Sequence, residues 1–226
     1  MTARYSLADV AALIGEPTRA AMLLALLDGS ALPATELARA ANLSAPATSL
    51  HLAKLTQGGL LSVRKEGRHR YYKIASADVV HALEALGVIA TAPPPQRSLR
   101  PEQSRLRAAR TCYDHLAGLA AVTLTETLER GRILSIEDDY HYTVTRRGER
   151  WFAEELSIDV PALATGRRPL ARRCLDWTER RPHLSGALGA ALLEALLTRR
   201  WIARTEASRA VRITSRGETA IAKLGV

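Results

Sequence analysis

This 226-residue chain has two cysteines, one phenylalanine and only 4% aromatic residues. Two thiols cannot staple a fold of this size, so the sequence reads as a protein of a reducing compartment. No apolar run approaches the roughly 18 residues of a membrane helix, and "MTARYSLADV" has no hydrophobic signal core. The expectation is a cytoplasmic protein with no membrane partner. No glycine-rich phosphate loop, nucleophile elbow or paired-carboxylate signature stands in it, which argues against an enzyme. Scarce aromatics with abundant Ala and Leu favour helices over sheets.

The chain does have charge. Its net is +9, which suggests a polyanionic partner, nucleic acid first. The excess is uneven. Residues 1–90 hold 9 Lys+Arg and 7 Asp+Glu, leaving 32 − 9 = 23 basic and 23 − 7 = 16 acidic residues for the rest. Local placement must therefore identify any DNA-binding surface.

In the first ninety residues, Leu7, Val10, Ala11 and Ile14 recur at helical spacing, and Pro17 suits the first turn of a Leu-rich second helix ended by Asp28-Gly29. "ATELARAANLS" predicts a short third helix, broken at Asn42. A fourth follows, with Ser44 as N-cap, Pro46 in the first turn, and Leu43, Thr48, Leu52 and Leu55 facing inward. Two short helices so joined make a helix-turn-helix, whose second member can enter a major groove. The period then changes to two: Leu61 and Val63 alternate with polar residues, Glu66-Gly67 marks a reversal, and Tyr72 and Ile74 continue the apolar face. The hairpin tip carries Arg64, Lys65, Arg68, His69 and Arg70, a wing able to touch phosphates. On the fourth helix Ala45, Pro46 and Leu50 offer apolar contact to thymine methyls, Ser49 and His51 offer hydrogen bonds, and Lys54 offers charge.

"GEPTRAAMLLALL", "ELARAANLSAPATSLHLAKLTQGGLL" and "RKEGRHRYYKI" together resemble the winged helix-turn-helix of the ArsR family of bacterial repressors, over about residues 5–90. The resemblance implies a homodimer joined through the first and fifth helices, here about 6–14 and 77–88. It also implies a recognition helix at about 44–57 on double-stranded DNA, and release from the operator when an effector binds. The family's usual metal ligands are missing: "TELARAAN" has no cysteine, and Asp78 and His81 have the wrong spacing. His81 reads as an interface or surface histidine.

"TAPPPQRSLRPEQS" favours an extended spacer, so the predicted domains are 1–91, a linker at 92–101, and 102–226. Beyond the linker the chain repeats itself. "ARTCYD" (109–114) matches "ARRCLD" (171–176), "HLAG" (115–118) matches "HLSG" (183–186) after the insertion "WTERRP", and "TRRGE" (145–149) matches "TSRGE" (214–218). The repeats, about 102–160 and 168–226, each read as helix, helix, hairpin, helix. The predicted fold class is mainly α with small β-hairpins: an N-terminal winged helix-turn-helix, then a duplicated winged-helix-like sensor or assembly domain. The first repeat's hairpin has an acidic tip, Glu137, Asp138 and Asp139, which phosphate would repel.

Cys112 and Cys174 recur because their unit does. They read as buried structural thiols near helix ends, as a redox pair, or as a metal site with His115 and His183. Cys112 and His115 would share a helix face, but a nine-residue gap separates Cys174 from His183, so no metal is assigned. Trp177, Arg180 and Arg181 in the insertion, with His183 just after it and Trp201 after the next helix, suit a flat or anionic small molecule, and Asp114 and Asp176 read as helix caps. The function predicted is an effector-responsive dimeric repressor. An architectural DNA binder without effector and a thiol enzyme carrying a DNA-binding module are the rival readings.

Overall fold

The computed structural model describes residues 5–66, 69–90, 101–206 and 208–223, and of His69, residues 101–103 and residues 222–223 the backbone only. Arg68 and residues 92–100 of the predicted 92–101 linker lie outside the described residues. The chain forms two compact units, Met1–Glu84 and Ala85–Val226.

The first unit runs α1 (Leu7–Gly15), α2 (Pro17–Ala25), β1 (Leu32–Pro33), α3 (Ala34–Ala41), α4 (Ala45–Gln57), β2 (Leu61–Glu66), β3 (His69–Ile74) and the start of α5 (Ala77–Ile89). α1 begins with a capping box, in which Ser6 and Asp9 satisfy each other's backbone N–H groups. The corner into α2 is held from both sides. Glu16 accepts from the Thr18 and Arg19 amides at 3.0 and 2.9 Å, while the buried Arg19 side chain donates to the Leu13 and Ala12 carbonyls that end α1. Thus one residue caps the incoming helix and another the outgoing one. Met22, Leu23, Leu26 and Leu27 of the α2 region, Leu37 of α3 and Leu52 and Leu55 of α4 make the core. Asn42 takes the left-handed conformation, φ 53°, which turns the chain between α3 and α4. β1 was not foreseen; two residues pair Leu32 with Tyr72 and Pro33 with Tyr71, giving a sheet of order β1-β3-β2.

The second unit continues with α6 (Pro101–Ala108), β4 (Arg110–Cys112), β5 (His115–Ala117), α7 (Leu119–Arg130), β6 (Leu134–Ile136), β7 (Tyr142–Val144) and α8 (Arg146–Leu156). The same order then recurs: α9 (Val160–Ala164), β8 (Arg172–Leu175), β9 (Pro182–Ser185), α10 (Gly186–Thr198), β10 (Ile202–Arg204), β11 (Val211–Ile213) and α11 (Ser215–Lys223). The predicted order is corrected here. The cysteine phrases are β-hairpins rather than helices, because the short runs around each thiol pair across a turn: Cys112 opposes His115, and Cys174 opposes His183.

Equivalent local devices recur in both repeats. The Thr145 hydroxyl donates to the Arg132 carbonyl and accepts from the Gly148 amide; the Thr214 hydroxyl does the same with Arg200 and Gly217. Gly118 and Gly186 leave β5 and β9 at φ +84° and +86°, and a Cβ on either would stand 2.7 Å from a carbonyl oxygen. Both positions therefore need glycine, for conformation and for space. The repeats also exchange backbone bonds. Thr111 N–H bonds Arg209 and Val211 N–H bonds Ala109, while Tyr142 N–H bonds Ala171 and Arg173 N–H bonds Tyr140. In each case the first hairpin of one repeat meets the second hairpin of the other. One core serves both, centred on Leu124 and Leu128 of α7, Phe152 of α8, and Leu188, Leu192 and Leu196 of α10.

Candidate nucleic-acid interface and a buried thiol–imidazole cluster

α4 buries Thr48, Leu52 and Leu55 and exposes Ala45, Pro46, Ser49, Leu50, Ala53, Lys54 and Gln57. Leu50 is 58% exposed. The Ser49 hydroxyl donates to the Ala45 carbonyl at 3.1 Å, so toward a partner it acts as an acceptor. Ser44 holds the N-cap position with extended backbone, yet makes no capping bond. Pro46 has no N–H at the second helical position, where a capping hydroxyl would bond.

β2 and β3 pair from Leu61↔Ile74 out to Glu66↔His69. Only the base of this hairpin is packed. Leu61, Tyr72 and Ile74 are buried, whereas Val63, predicted to face inward, is 45% exposed on the edge strand opposite Tyr72 of the central one. Arg64, Lys65 and Arg70 are exposed, and Arg64 pairs with Glu66.

In the second unit the two cysteine hairpins lie side by side, β5 against β9. Cys112, His115 and His183 are buried and Cys174 is half-buried, and one donor atom from each of the four lies within 4.8 Å of all the others. The imidazoles face each other, Nε2 to Nε2, at 3.1 Å. Their Nδ1 atoms are buried and point the opposite way, His115 toward Asp114 at 3.5 Å and His183 toward Asp176 at 3.6 Å. Each carboxylate is held by an arginine: Asp114 by the half-exposed Arg168, and Asp176 by Arg110 at 3.0 Å in a fully buried pair. Asp176 also accepts from the Gly118 amide and from the Thr178 amide and hydroxyl. Burial would raise its carboxyl, but Arg110, these donors and His183 outweigh that and hold it at about 2. The Asp114 carboxyl is lowered chiefly by its hydrogen bonds from Arg168.

A family model described as a helix-turn-helix domain matches residues 14–64. The uncharacterized HTH-type transcriptional regulator YdfF of Bacillus subtilis (strain 168) is 41% identical over 222 residues, covering 96% of each chain. The chain belongs to the HTH-type transcriptional regulators. Among solved structures, NolR from Sinorhizobium fredii is 32% identical over 38% of this chain and 84% of its own, with a TM-score of 0.35. Reduced HlyU from Vibrio cholerae is 30% identical over 38% of this chain and 88% of its own, with a TM-score of 0.34.

In this DNA-binding regulator the predicted interface residues Ser44, Ala45, Pro46, Ser49 and Lys54 are exposed along α4, and Arg64, Lys65 and Arg70 are exposed on the β2–β3 hairpin. Of His69 only the backbone is described, opposite Glu66. His51 needs correction. Its Nδ1 is buried 3.3 Å from Glu16 without a hydrogen bond, so the half-buried ring is turned toward the α1–α2 corner and stands less open than Ser49. Burial would raise the Glu16 carboxyl, but bonds from the Thr18 hydroxyl and the Arg19 and Thr18 amides, with His51 beside it, hold it at about 2. Because the folded value is depressed, this stabilisation is present above about pH 4.5 and is lost as the pH falls toward about 2. We expect Glu16→Gln to cost about 1 kcal/mol at neutral pH, a typical cap effect. Its unfolding midpoint should converge on the parent's as acid removes the charge, and a gap constant across that range would contradict the assignment.

The proposed aromatic–guanidinium ligand site also needs correction. The groups of the insertion are already engaged: Arg110 lies over the Trp177 ring at 5.6 Å, Arg181 bonds Glu126 at 2.6 Å, and His183 faces His115. Asp114 and Asp176 cap no helix among the described residues; they sit behind the two histidines. The only sequence signal for that role is that each follows its cysteine by two residues in both repeats.

Proposed function

We propose that this regulator is a cytoplasmic, homodimeric repressor that binds an inverted-repeat operator through α4 and the wing, and that it acts by binding rather than catalysis. The observation that carries this reading is the exposed small-residue face of α4, with an uncapped N-terminus, in the same unit as a cationic β-loop. An α4 lying in the major groove would place Ala45, Pro46 and Leu50 against thymine methyls and Ser49 against a base amino group. The wing would take phosphates.

The dimer reading rests on unpartnered apolar surface. α1 is apolar yet buries no residue, and Leu7 is 86% exposed. Leu86 and Ile89 of α5 are 47% and 75% exposed. A second copy is the partner these helices would bury. We read residues 1–91 as the DNA-binding and dimerisation domain, 92–101 as the linker, and 102–226 as two winged-helix-like repeats descended from a duplication. This second domain would respond to an effector and shift the dimer between geometries that fit or miss successive grooves.

Replacing Arg64, Lys65 and Arg70 together with alanine tests the interface. The variant should lower the slope of log affinity against log salt by roughly 2–3, about one per lost phosphate contact. It should weaken operator and random DNA alike, while sedimentation still gives a dimer. An unchanged salt slope would refute the wing contact. Equal affinity of the parent for operator and random duplex would favour an architectural binder.

A further inference from the structure

The cluster of Cys112, His115, Cys174 and His183 is unlike the rest of the buried interior. Two imidazoles set with their Nε2 atoms 3.1 Å apart are in conflict unless something positive lies between them or one carries the proton. Their Nδ1 atoms are buried without a hydrogen bond, and the nearest acceptors are the Asp114 and Asp176 carboxylates at 3.5 and 3.6 Å; a slight closure would give Nδ1–H on both rings and leave both Nε2 lone pairs inward. Two sulfur atoms complete the inward-facing set, and all four donors lie within 4.8 Å of one another.

We propose that these four side chains bind one zinc ion, with each repeat supplying one thiolate and one imidazole through Nε2. Two sulfur and two nitrogen donors converging on one point are the ligand set of a closed tetrahedral zinc site. With bonds of about 2.3 Å to sulfur and 2.0–2.1 Å to nitrogen, tetrahedral donors stand roughly 3.3–3.8 Å apart. The two histidines are already near that spacing, and the remaining donors, all within 4.8 Å, need to close by roughly 1.3 Å at most. The charges balance: two thiolates neutralise a divalent cation, and each outer carboxylate is neutralised by its own arginine, Asp114 by Arg168 and Asp176 by Arg110. A carboxylate behind each metal-bound imidazole is the outer arrangement that fixes ring orientation and tautomer.

The hairpin register explains the unequal ligand spacing that the sequence shows in the two repeats. Cys112 and His115 oppose each other across a two-residue turn. Cys174 and His183 oppose each other in the same way, because the six inserted residues lengthen only the turn region. Nine residues of chain thus give the same ligand pair as three. These ligands are separate from α3 and α5, where resemblance to the family directs attention. Joining two repeats at one ion makes the metal a clasp on the packing of the second unit. This inference does not rest on DNA binding.

The test uses the full chain, stripped by chelator under reducing conditions and then titrated with Co²⁺ and Zn²⁺. One Co²⁺ per chain should give the visible bands of a tetrahedral ion and thiolate-to-cobalt charge transfer, and one equivalent of Zn²⁺ should bleach both. Cys112→Ser and Cys174→Ser should each diminish the charge transfer. Asp114→Asn, which removes no ligand, should weaken zinc binding about 10–100-fold. Should a cysteine variant fail to fold, the parent titration alone decides. A folded, reduced parent that takes up no Co²⁺, a full cobalt spectrum in Cys174→Ser, or a Cys112–Cys174 disulfide that persists under reductant would each overturn the proposal.

Discussion

Arg110→Ala should destabilise the second unit by about 3–5 kcal/mol, the cost of removing one partner from a buried ion pair. Arg110 and Asp176 are 1% and 0% exposed, so water cannot replace the lost guanidinium. The substitution also removes the cation lying over Trp177 and a charge that keeps the Asp176 carboxyl ionised. Against a typical domain stability of about 5–15 kcal/mol, this is a large share. All three tryptophans, Trp151, Trp177 and Trp201, lie in the second unit, so urea unfolding followed by tryptophan fluorescence isolates it. Replacing both partners with apolar residues, Arg110→Met with Asp176→Leu, should cost less than Arg110→Ala alone, since no charge is then left buried. If Arg110→Ala unfolds at the same urea concentration as the parent, the pair is not a structural anchor.

Leu50→Glu should abolish operator preference and leave folding intact. Leu50 is 58% exposed and supports no core, so circular dichroism and the unfolding midpoint should stay close to the parent's. On the proposed face of α4 the new carboxylate would meet the bases and the phosphate wall of the groove, with no cation opposite it. Affinity for operator DNA should fall by about 10³-fold or more, toward the level of non-specific binding. Ser49→Ala should be milder, since it removes one acceptor and preserves shape. A Leu50→Glu protein that still discriminates operator from random duplex would place the recognition surface elsewhere.

The two parts of the chain differ in how far they can be read from residues alone. In the first unit the helices, the Asn42 turn and the wing follow from local signals: apolar spacing at 3.6, a change to period two, and breakers between them. These act within a few residues, so they survive without tertiary information. What escaped was non-local. β1 is only two residues long, and His51 is turned aside by Glu16, thirty-five positions earlier in the chain.

In the second unit the repeat itself is written in the sequence, as are the glycines and threonines that recur with it. The secondary structure of the cysteine phrases is not. Runs of three or four residues carry too little periodicity to separate strand from helix, and the pairing partner makes the choice.

The amino-acid order by itself determined the winged helix-turn-helix, its cationic loop, the twofold repetition behind it and the presence of one Cys and one His in each copy. Only the tertiary structure decided that the four meet, that their inward nitrogens oppose each other, and that Asp114 and Asp176 stand behind them. The reason is physical. Local propensity and spacing act along the chain, whereas donor convergence depends on two hairpins packing together, and residues more than sixty positions apart leave no local mark of that contact.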